Sequence, residues 1–153
     1  MDNSFKYLKT VGLNTEANYP YTSGGGSVAA CDKDLEAAGT VMVSEYVDVQ
    51  KESADALKAQ LDKGPVSVAI EADKATFQQY STGVITGTAC GTSLDHGVLA
   101  VGYGTENGQG YFLVKNSWGA EWGDNGYVKI GDTDGAGVCG ILSGPPSQPT
   151  SCN

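Results

Sequence analysis

The chain contains a single histidine, His96, in the stretch "SLDHGVLAVGYG". Imidazole is the side chain best suited to exchanging protons near neutral pH. A second stretch, "YFLVKNSWGAEWG", contains Asn116. An asparagine amide oxygen can accept a hydrogen bond from one ring nitrogen and leave the other nitrogen free to handle a proton. His96 and Asn116 could therefore form a general base with its orienting group, if the fold brings them together.

A hairpin is predicted between these two stretches, because "TENGQG" separates them and Asn107-Gly108 is a strong turn signal. If the strands reverse around positions 106 to 108, facing residues have numbers that sum to roughly 212 to 215. The residue opposite His96 then falls at about 116 to 119, within the slip that a bulge produces. A lone histidine on a strand is more commonly structural, and an asparagine at a strand end is commonly a turn former. The pairing alone leaves the catalytic and structural interpretations about equal.

Small helices and glycine-separated strands are predicted to support this hairpin. Helices are expected over 2–10, after the capping residue Ser53 in "ADALKAQLDK", and over 73–80. Strands are expected over 40–49, "PVSVAIEA", "GVLAVGYG", "GYFLVKNSW" and "GYVKIG". The Pro/Ser-rich end of the chain has no periodicity and is expected to be a linker or loose terminus.

Composition narrows the functional classes. The net charge is −9 and all nine basic residues are lysine, which argues against a nucleic-acid partner. No stretch approaches the ~18 apolar residues of a membrane span, and the first residues do not resemble a signal peptide. The four cysteines lack metal-ligand spacing, so disulfides in an oxidising compartment are expected, with no metal and no cofactor.

Several longer strings resemble the papain family of cysteine proteases, and its cathepsin L-like branch in particular. These are "LDHGVLAVGYG", "YFLVKNSWGAEWGDNGYVKI", "GVCGI", "GPVSVAIEADKATFQQYSTGV" and the opening "MDNSFKYL" with "GLNTEANYPYT". The resemblance implies an α+β papain-like fold. Residues 47–144 would be a largely complete right-hand β-barrel domain, 1–46 the remnant of a truncated left-hand helical domain, and 145–153 a Pro/Ser-rich tail.

The resemblance also implies roles for particular residues. His96 would be the catalytic histidine and Asn116 its orienter, with Trp118 shielding their hydrogen bond. The expected supporting and substrate-binding residues are Ser117 and Trp122 on the primed side of the cleft, Ala69, Gly97 and Gly144 in the S2 pocket, and Asp95 at the cleft edge. Cys90 and Cys139 would form a disulfide, and Cys31 would lack its family partner.

One part of the family pattern does not occur in these residues. The nucleophile signature, similar to C-G-[SA]-C-[WY], is normally about 130 residues before the histidine, and no cysteine here has that context. The sequence is therefore expected to be the C-terminal part of a protease, inactive alone. Its implied activity is cysteine-type endopeptidase, with peptide or protein substrates, cystatin-like or pro-peptide inhibitors, and a lysosomal, vacuolar or secreted location.

Two alternatives stay open at this point. The first is a non-proteolytic papain-like homologue, silicatein-like or another pseudoenzyme, in which the nucleophile is replaced. The second is a structural or binding module. The intact set of His96, Asn116 and Trp118 argues against the pseudoenzyme, because such a protein has no chemical need for it.

Overall fold

The computed structural model describes residues 1–152, which divide into two units. One unit comprises Met1–Val47 with the final residues from Pro149 onward, and the other comprises Asp48–Gln148. The division into segments 1–46, 47–144 and 145–153, with the domain identities attached to them, stays a prediction. No helix in the described part of the chain has the length and apolar character needed to cross a membrane.

The first unit consists of short elements joined by long loops. It contains helix α1 (Asp2–Leu8), helix α2 (Lys33–Ala37) and most of strand β1 (Val43–Asp48). The side chain of Asp32 accepts the N–H groups of Asp34 and Leu35, which caps α2. Helix α1 ends two residues before the predicted limit at residue 10. Tyr21 and Val28 are largely exposed, so this unit buries little of its apolar surface.

The second unit is built on an antiparallel sheet with one parallel edge pair. Its strands are β2 (Val66–Ile70), β3 (Val84–Ile85), β4 (His96–Glu106), β5 (Gln109–Lys115), β6 (Tyr127–Gly131) and the start of β7 (Ser147–Cys152). Their spatial order is β7-β2-β4-β5-β6-β3, and only β3 and β6 run parallel. The predicted strand in "GYFLVKNSW" ends at Lys115, because the chain turns after Asn116 to form the site described below.

The core of this unit follows from alternation along the strands. In β2, residues Val66, Val68 and Ile70 are fully buried, and in β5 the same is true of Phe112 and Val114. Successive side chains on a strand point to opposite faces, so these positions lie on one face of the sheet. Helix α3 (Ala54–Leu61) adds the buried Leu57 and Leu61, among other residues, to the core of this unit.

Ser53 caps α3 as predicted, since its hydroxyl accepts the N–H of Ala56 at 3.2 Å. The short helix predicted over 73–80 is α4 (Ala75–Gln78), which places Phe77 in the core with no exposed surface. These two helices lie on either side of β2 in the sequence, so the turns that join them to β2 set where that strand begins and ends.

The expectation of a loose terminus over 145–153 is wrong for residues 147–152, which form β7. Ser147 pairs with Ser67 of β2, and the side chain of Gln148 donates to the carbonyl of Pro65 at 3.0 Å. Gln148 also accepts a hydrogen bond from the buried amide of Gln60. These contacts with residues distant in sequence order a segment whose own composition shows no strand pattern.

Candidate active site

The β4–β5 hairpin brings His96 and Asn116 together. Its turn lies at Asn107-Gly108, and Glu106 faces Gln109, so facing residues near the turn sum to 215. A β-bulge between Ala100 and Gly102 changes the sum to 214 for the rest of the pairing. At the far end, His96 Nε2 lies 2.8 Å from Asn116 Oδ1.

The contacts of Asn116 define which nitrogen of His96 carries the proton. Asn116 Oδ1 also accepts the backbone N–H of Ser117 at 2.8 Å, so this atom is the amide oxygen. The facing Nε2 of His96 must then be the donor, which leaves Nδ1 available for proton transfer. The backbone N–H of Asn116 donates to the carbonyl of Gly126 at 2.9 Å and holds the residue after β5 ends.

Aromatic side chains surround this hydrogen bond. The Trp118 ring lies 5.1 Å from the imidazole between centroids, tilted by 32°. Phe77 meets Trp118 edge to face at 5.5 Å and Trp122 at 5.0 Å. The indole N–H of Trp122 donates to the carbonyl of Gln78 at 3.0 Å. An apolar surround of this kind keeps water from competing for the bond between His96 and Asn116.

Phe77 is a site residue that the sequence analysis did not single out. It is fully buried and its ring centroid lies 6.3 Å from that of His96, in an edge-to-face arrangement. The available signal was an aromatic residue inside a short predicted helix, which is ordinarily read as core. Its contact with the imidazole depends on the packing of α4 against β4, and periodicity alone does not reveal that contact.

Asp95 lies beside His96 and joins β4 to the end of β2. Its side chain accepts the N–H of Ala72 at 2.8 Å, and its own N–H donates to the carbonyl of Ile70 at 3.0 Å. A cavity of about 260 Å³ opens here. The residues that line it are Ala72, Asp73, Gln78, Asp95, His96 and Trp118.

The three small residues expected in a substrate pocket also lie together. Ala69 of β2 faces Gly97 of β4 in the strand register. A Cβ atom placed on Gly144 would lie 4.0 Å from the Ala69 Cβ and 3.2 Å from a methyl of Leu94. These residues therefore form one surface next to His96, which is open at Gly97, where an added Cβ would meet nothing within 4 Å. Their role in binding substrate stays a prediction.

The cysteines fall into two groups. Cys90 and Cys139 form a disulfide with Cα atoms 4.7 Å apart, as the family resemblance implies. Cys31 and Cys152 are free thiols on the exposed surface. Among residues 1–152, no group of three or more histidine, cysteine or acidic side chains is placed to hold a metal ion. The second unit thus carries an imidazole in a fixed orientation, and both of its cysteines are joined in a disulfide.

The known proteins that this chain is similar to belong to one family. The model of the papain family cysteine proteases matches residues 1–148. "Probable cysteine protease RD21B" of Arabidopsis thaliana is 49% identical over 92% of the chain, and vignain of Ricinus communis is 47% identical over 92%. The chain spans only 30% and 39% of these two relatives.

Solved structures give the same result. The bromelain protease of Ananas comosus aligns over 94% of the chain and 65% of its own, with a TM-score of 0.81 and 34% identity. The Carica candamarcensis cysteine protease CMS1MS2 aligns over 97% and 66%, with a TM-score of 0.84 and 35% identity. Both were solved in complex with the inhibitor E-64. The predicted fold class is confirmed by these alignments.

Proposed function

Because the chain belongs to the papain family of cysteine proteases, we propose that it supplies the histidine and the asparagine of a Cys-His-Asn endopeptidase. The observation that carries this proposal is the 2.8 Å contact between His96 Nε2 and Asn116 Oδ1 beneath Trp118. A histidine without a catalytic role needs neither an orienting acceptor nor an aromatic cover. The nucleophilic cysteine of the complete enzyme would come from a segment outside these 153 residues.

In the proposed reaction, Nδ1 of His96 takes the proton of the cysteine thiol, and the resulting pair of thiolate and imidazolium is the resting nucleophile. The thiolate attacks the carbonyl carbon of the scissile peptide bond. The C–N bond then breaks as His96 returns its proton to the leaving amine, and a thioester remains on the enzyme. Water, deprotonated by His96, hydrolyses the thioester and restores the thiol.

Asn116 acts in this scheme through His96. Its amide oxygen holds Nε2–H, so the ring keeps Nδ1 directed at the reacting groups through both proton transfers. Trp118 and Phe77 exclude water from that hydrogen bond, which strengthens it in the lower local dielectric. Asp95 fixes the backbone next to His96 through its hydrogen bonds to Ile70, at the end of β2, and to Ala72, just beyond it.

Substrate selection would come mainly from the surface formed by Ala69, Gly97 and Gly144. Small, uncharged residues leave room for a large apolar side chain, such as Leu or Phe, at the second residue before the scissile bond. Peptides and proteins are the proposed substrates. One relative of known structure, the ragweed pollen protease Amb a 11, was solved as a proform, and a pro-peptide or a cystatin-like protein is a proposed inhibitor here.

A vacuolar, lysosomal or secreted location is part of the same proposal. The disulfide between Cys90 and Cys139 requires an oxidising environment during folding. A thiolate–imidazolium pair also remains functional when the surrounding pH is acidic, because its thiol pKa is lowered by the adjacent charge.

Filling the pocket should change which peptides are cleaved. In Gly144→Leu, the new side chain would extend towards Leu94 and Ala69 and occupy the space expected for the substrate side chain. We expect the preference for Phe over Ala at the second residue before the scissile bond to fall about tenfold. The measurement is kcat/KM for two peptides that differ only at that residue. The Ala peptide serves as the internal control, and equal losses for both peptides would contradict the pocket assignment.

The proposed function is tested by expressing the chain together with the upstream segment of its own coding sequence. The complete protein should hydrolyse peptides in a thiol-dependent manner and be titrated by E-64, whereas the 153-residue chain alone should be inactive. A complete protein with an intact cysteine nucleophile that cleaves no peptide would refute the proposal. A serine or glycine at the nucleophile position would instead indicate the non-proteolytic homologue.

A further inference from the structure

Glu71 is a buried carboxylate that the proposed reaction does not use. It directly follows β2, and only 3% of its surface is exposed. Burying a charge is costly unless the charge is paired and hydrogen-bonded. The contacts that hold Glu71 therefore show which parts of the structure depend on it.

Both carboxylate oxygens have partners. Oε2 accepts the backbone N–H of Ser93, and Oε1 lies 2.9 Å from the ammonium of Lys74. This hydrogen-bonded pairing raises the pKa of Lys74 above its ordinary value, so the ammonium stays charged. The carboxylate also lies against Gly91, where a Cβ atom would overlap it and where φ is +77°. The loop over 91–93 is thus shaped around this side chain.

These partners belong to the segments that converge on His96. Ser93 is three residues before His96, on the loop that leads into β4. Lys74 immediately precedes α4, which carries Phe77 into contact with the imidazole and Trp118. The backbone N–H of Glu71 donates to the carbonyl of Cys139 at 2.8 Å, so the disulfide-bearing segment is attached at the same point.

Resting on the proposed function, we propose that Glu71 is a positioning residue for His96. Its carboxylate joins the loop that leads into His96 to the segment that leads into Phe77, and so fixes the imidazole relative to the reacting groups. Displacement of a catalytic group by about 1 Å can cost a factor of about 100 in rate, so this linkage bears directly on turnover.

The two oxygens make separable contributions. Glutamine at position 71 keeps an oxygen for the Ser93 N–H, but its amide nitrogen is a donor facing the Lys74 ammonium. Alanine removes both contacts and leaves the Ser93 N–H without its partner. Glu106 provides a matched control, since it also pairs with a lysine, Lys129 at 2.6 Å, but lies at the opposite end of β4.

The kinetic test uses the complete protein with active sites counted by E-64 titration, so that unfolded molecules do not enter kcat. We expect Glu71→Ala to lower kcat about 10- to 100-fold while KM changes less than about threefold. Glu71→Gln should recover kcat to within about threefold of the parent. Glu106→Ala should remain within about twofold. An equal fall in Glu106→Ala, or a Glu71→Ala value within twofold of the parent, would overturn the proposal.

A second readout does not depend on turnover. In protein labelled with ¹⁵N-histidine, the His96 signal is identified by its loss in His96→Gln, and the exchange of its Nε2 proton with solvent is measured. Glu71→Ala should speed this exchange about tenfold or more, because the hydrogen bond to Asn116 is no longer held, and Glu106→Ala should not. Unchanged exchange in Glu71→Ala contradicts the inference. If Glu71→Ala does not fold, Glu71→Gln decides: it keeps the Ser93 contact and loses the Lys74 pairing, so exchange about two- to threefold faster supports the inference, and exchange equal to that of the parent overturns it.

The two readouts separate the two proposals. A parent protein that cleaves no peptide overturns the proposed function, and the proton exchange still decides whether Glu71 positions His96. A parent that cleaves peptides, with Glu71 variants equal to it in kcat and in exchange, leaves the proposed function standing and overturns this inference.

Discussion

Replacing His96 by alanine in the complete protein is expected to lower kcat/KM by about 10⁴-fold. The substitution removes the group that deprotonates the thiol and protonates the leaving amine, and general acid–base catalysis contributes about 10²- to 10⁴-fold by itself. The His96 side chain is only half-buried, so the fold should persist. The measurement is steady-state hydrolysis of a peptide with Phe or Leu at the second residue before the scissile bond.

Asn116→Ala is the matched comparison for this result. It leaves the imidazole in place but removes the acceptor of Nε2–H, so orientation is lost while the proton carrier remains. A smaller loss, about 10- to 100-fold, is expected. Parental activity in His96→Ala would show that the only histidine of the chain is structural. Equal losses in the two variants would contradict the separate roles proposed for them.

The disulfide between Cys90 and Cys139 is expected to contribute the largest single increment of stability. The two cysteines are 49 residues apart in sequence. Cross-linking a loop of that length lowers the entropy of the unfolded chain, which stabilises the folded state by about 4 kcal/mol at 25 °C. Both cysteines are buried, at 0% and 1% exposure, so alanine replacements also lose packing. The double variant Cys90→Ala/Cys139→Ala should therefore lose at least about 4 kcal/mol of unfolding free energy.

Urea unfolding of the complete protein under non-reducing conditions measures this loss. Cys152→Ala is the control, because its thiol is exposed and free, and it should change the unfolding free energy by less than about 0.5 kcal/mol. Addition of a reductant should lower the stability of the parent and leave the double variant unchanged. A parent and a double variant with the same midpoint of unfolding would mean that the disulfide does not form in the folded protein.

Local patterns predicted the hairpin and its approximate register. Asn107-Gly108 has the turn chemistry of a tight hairpin, and alternation on either side defines the strands, so counting back from the turn was enough to bring His96 near Asn116. Ser53 was recognised as a cap for the same reason, because a capping interaction is local in sequence. The substrate-binding and catalytic roles of these residues remain predictions.

Non-local contacts explain what the sequence did not predict. Glu71 directly follows an alternating strand, and the alternation alone would place its side chain in solvent. Its burial depends on a hydrogen bond from the backbone N–H of Ser93, and a contact of that kind has no signature in the sequence. Residues 147–152 form a strand through Ser67 and through the buried amides of Gln60 and Gln148. Phe77 looked like ordinary core because its contact with the imidazole depends on how α4 is placed.

The bulge near Ala100 has a consequence for how the length of this hairpin can change. Continued without the bulge, the register near the turn would set Asn116 opposite Leu99, whose side chain points to the other face of the sheet from His96. With the extra residue in β4, the pairing of Leu99 with Lys115 sets Asn116 opposite Val98, which is two residues from His96 and on the same face of the sheet. Whether the number of residues between the turn and His96 is odd or even therefore decides which face of the sheet His96 occupies. Residues can be added in the turn without changing the strand pairing, but removing a single residue between His96 and Gly102 would separate His96 from Asn116 while leaving every residue type of the site intact.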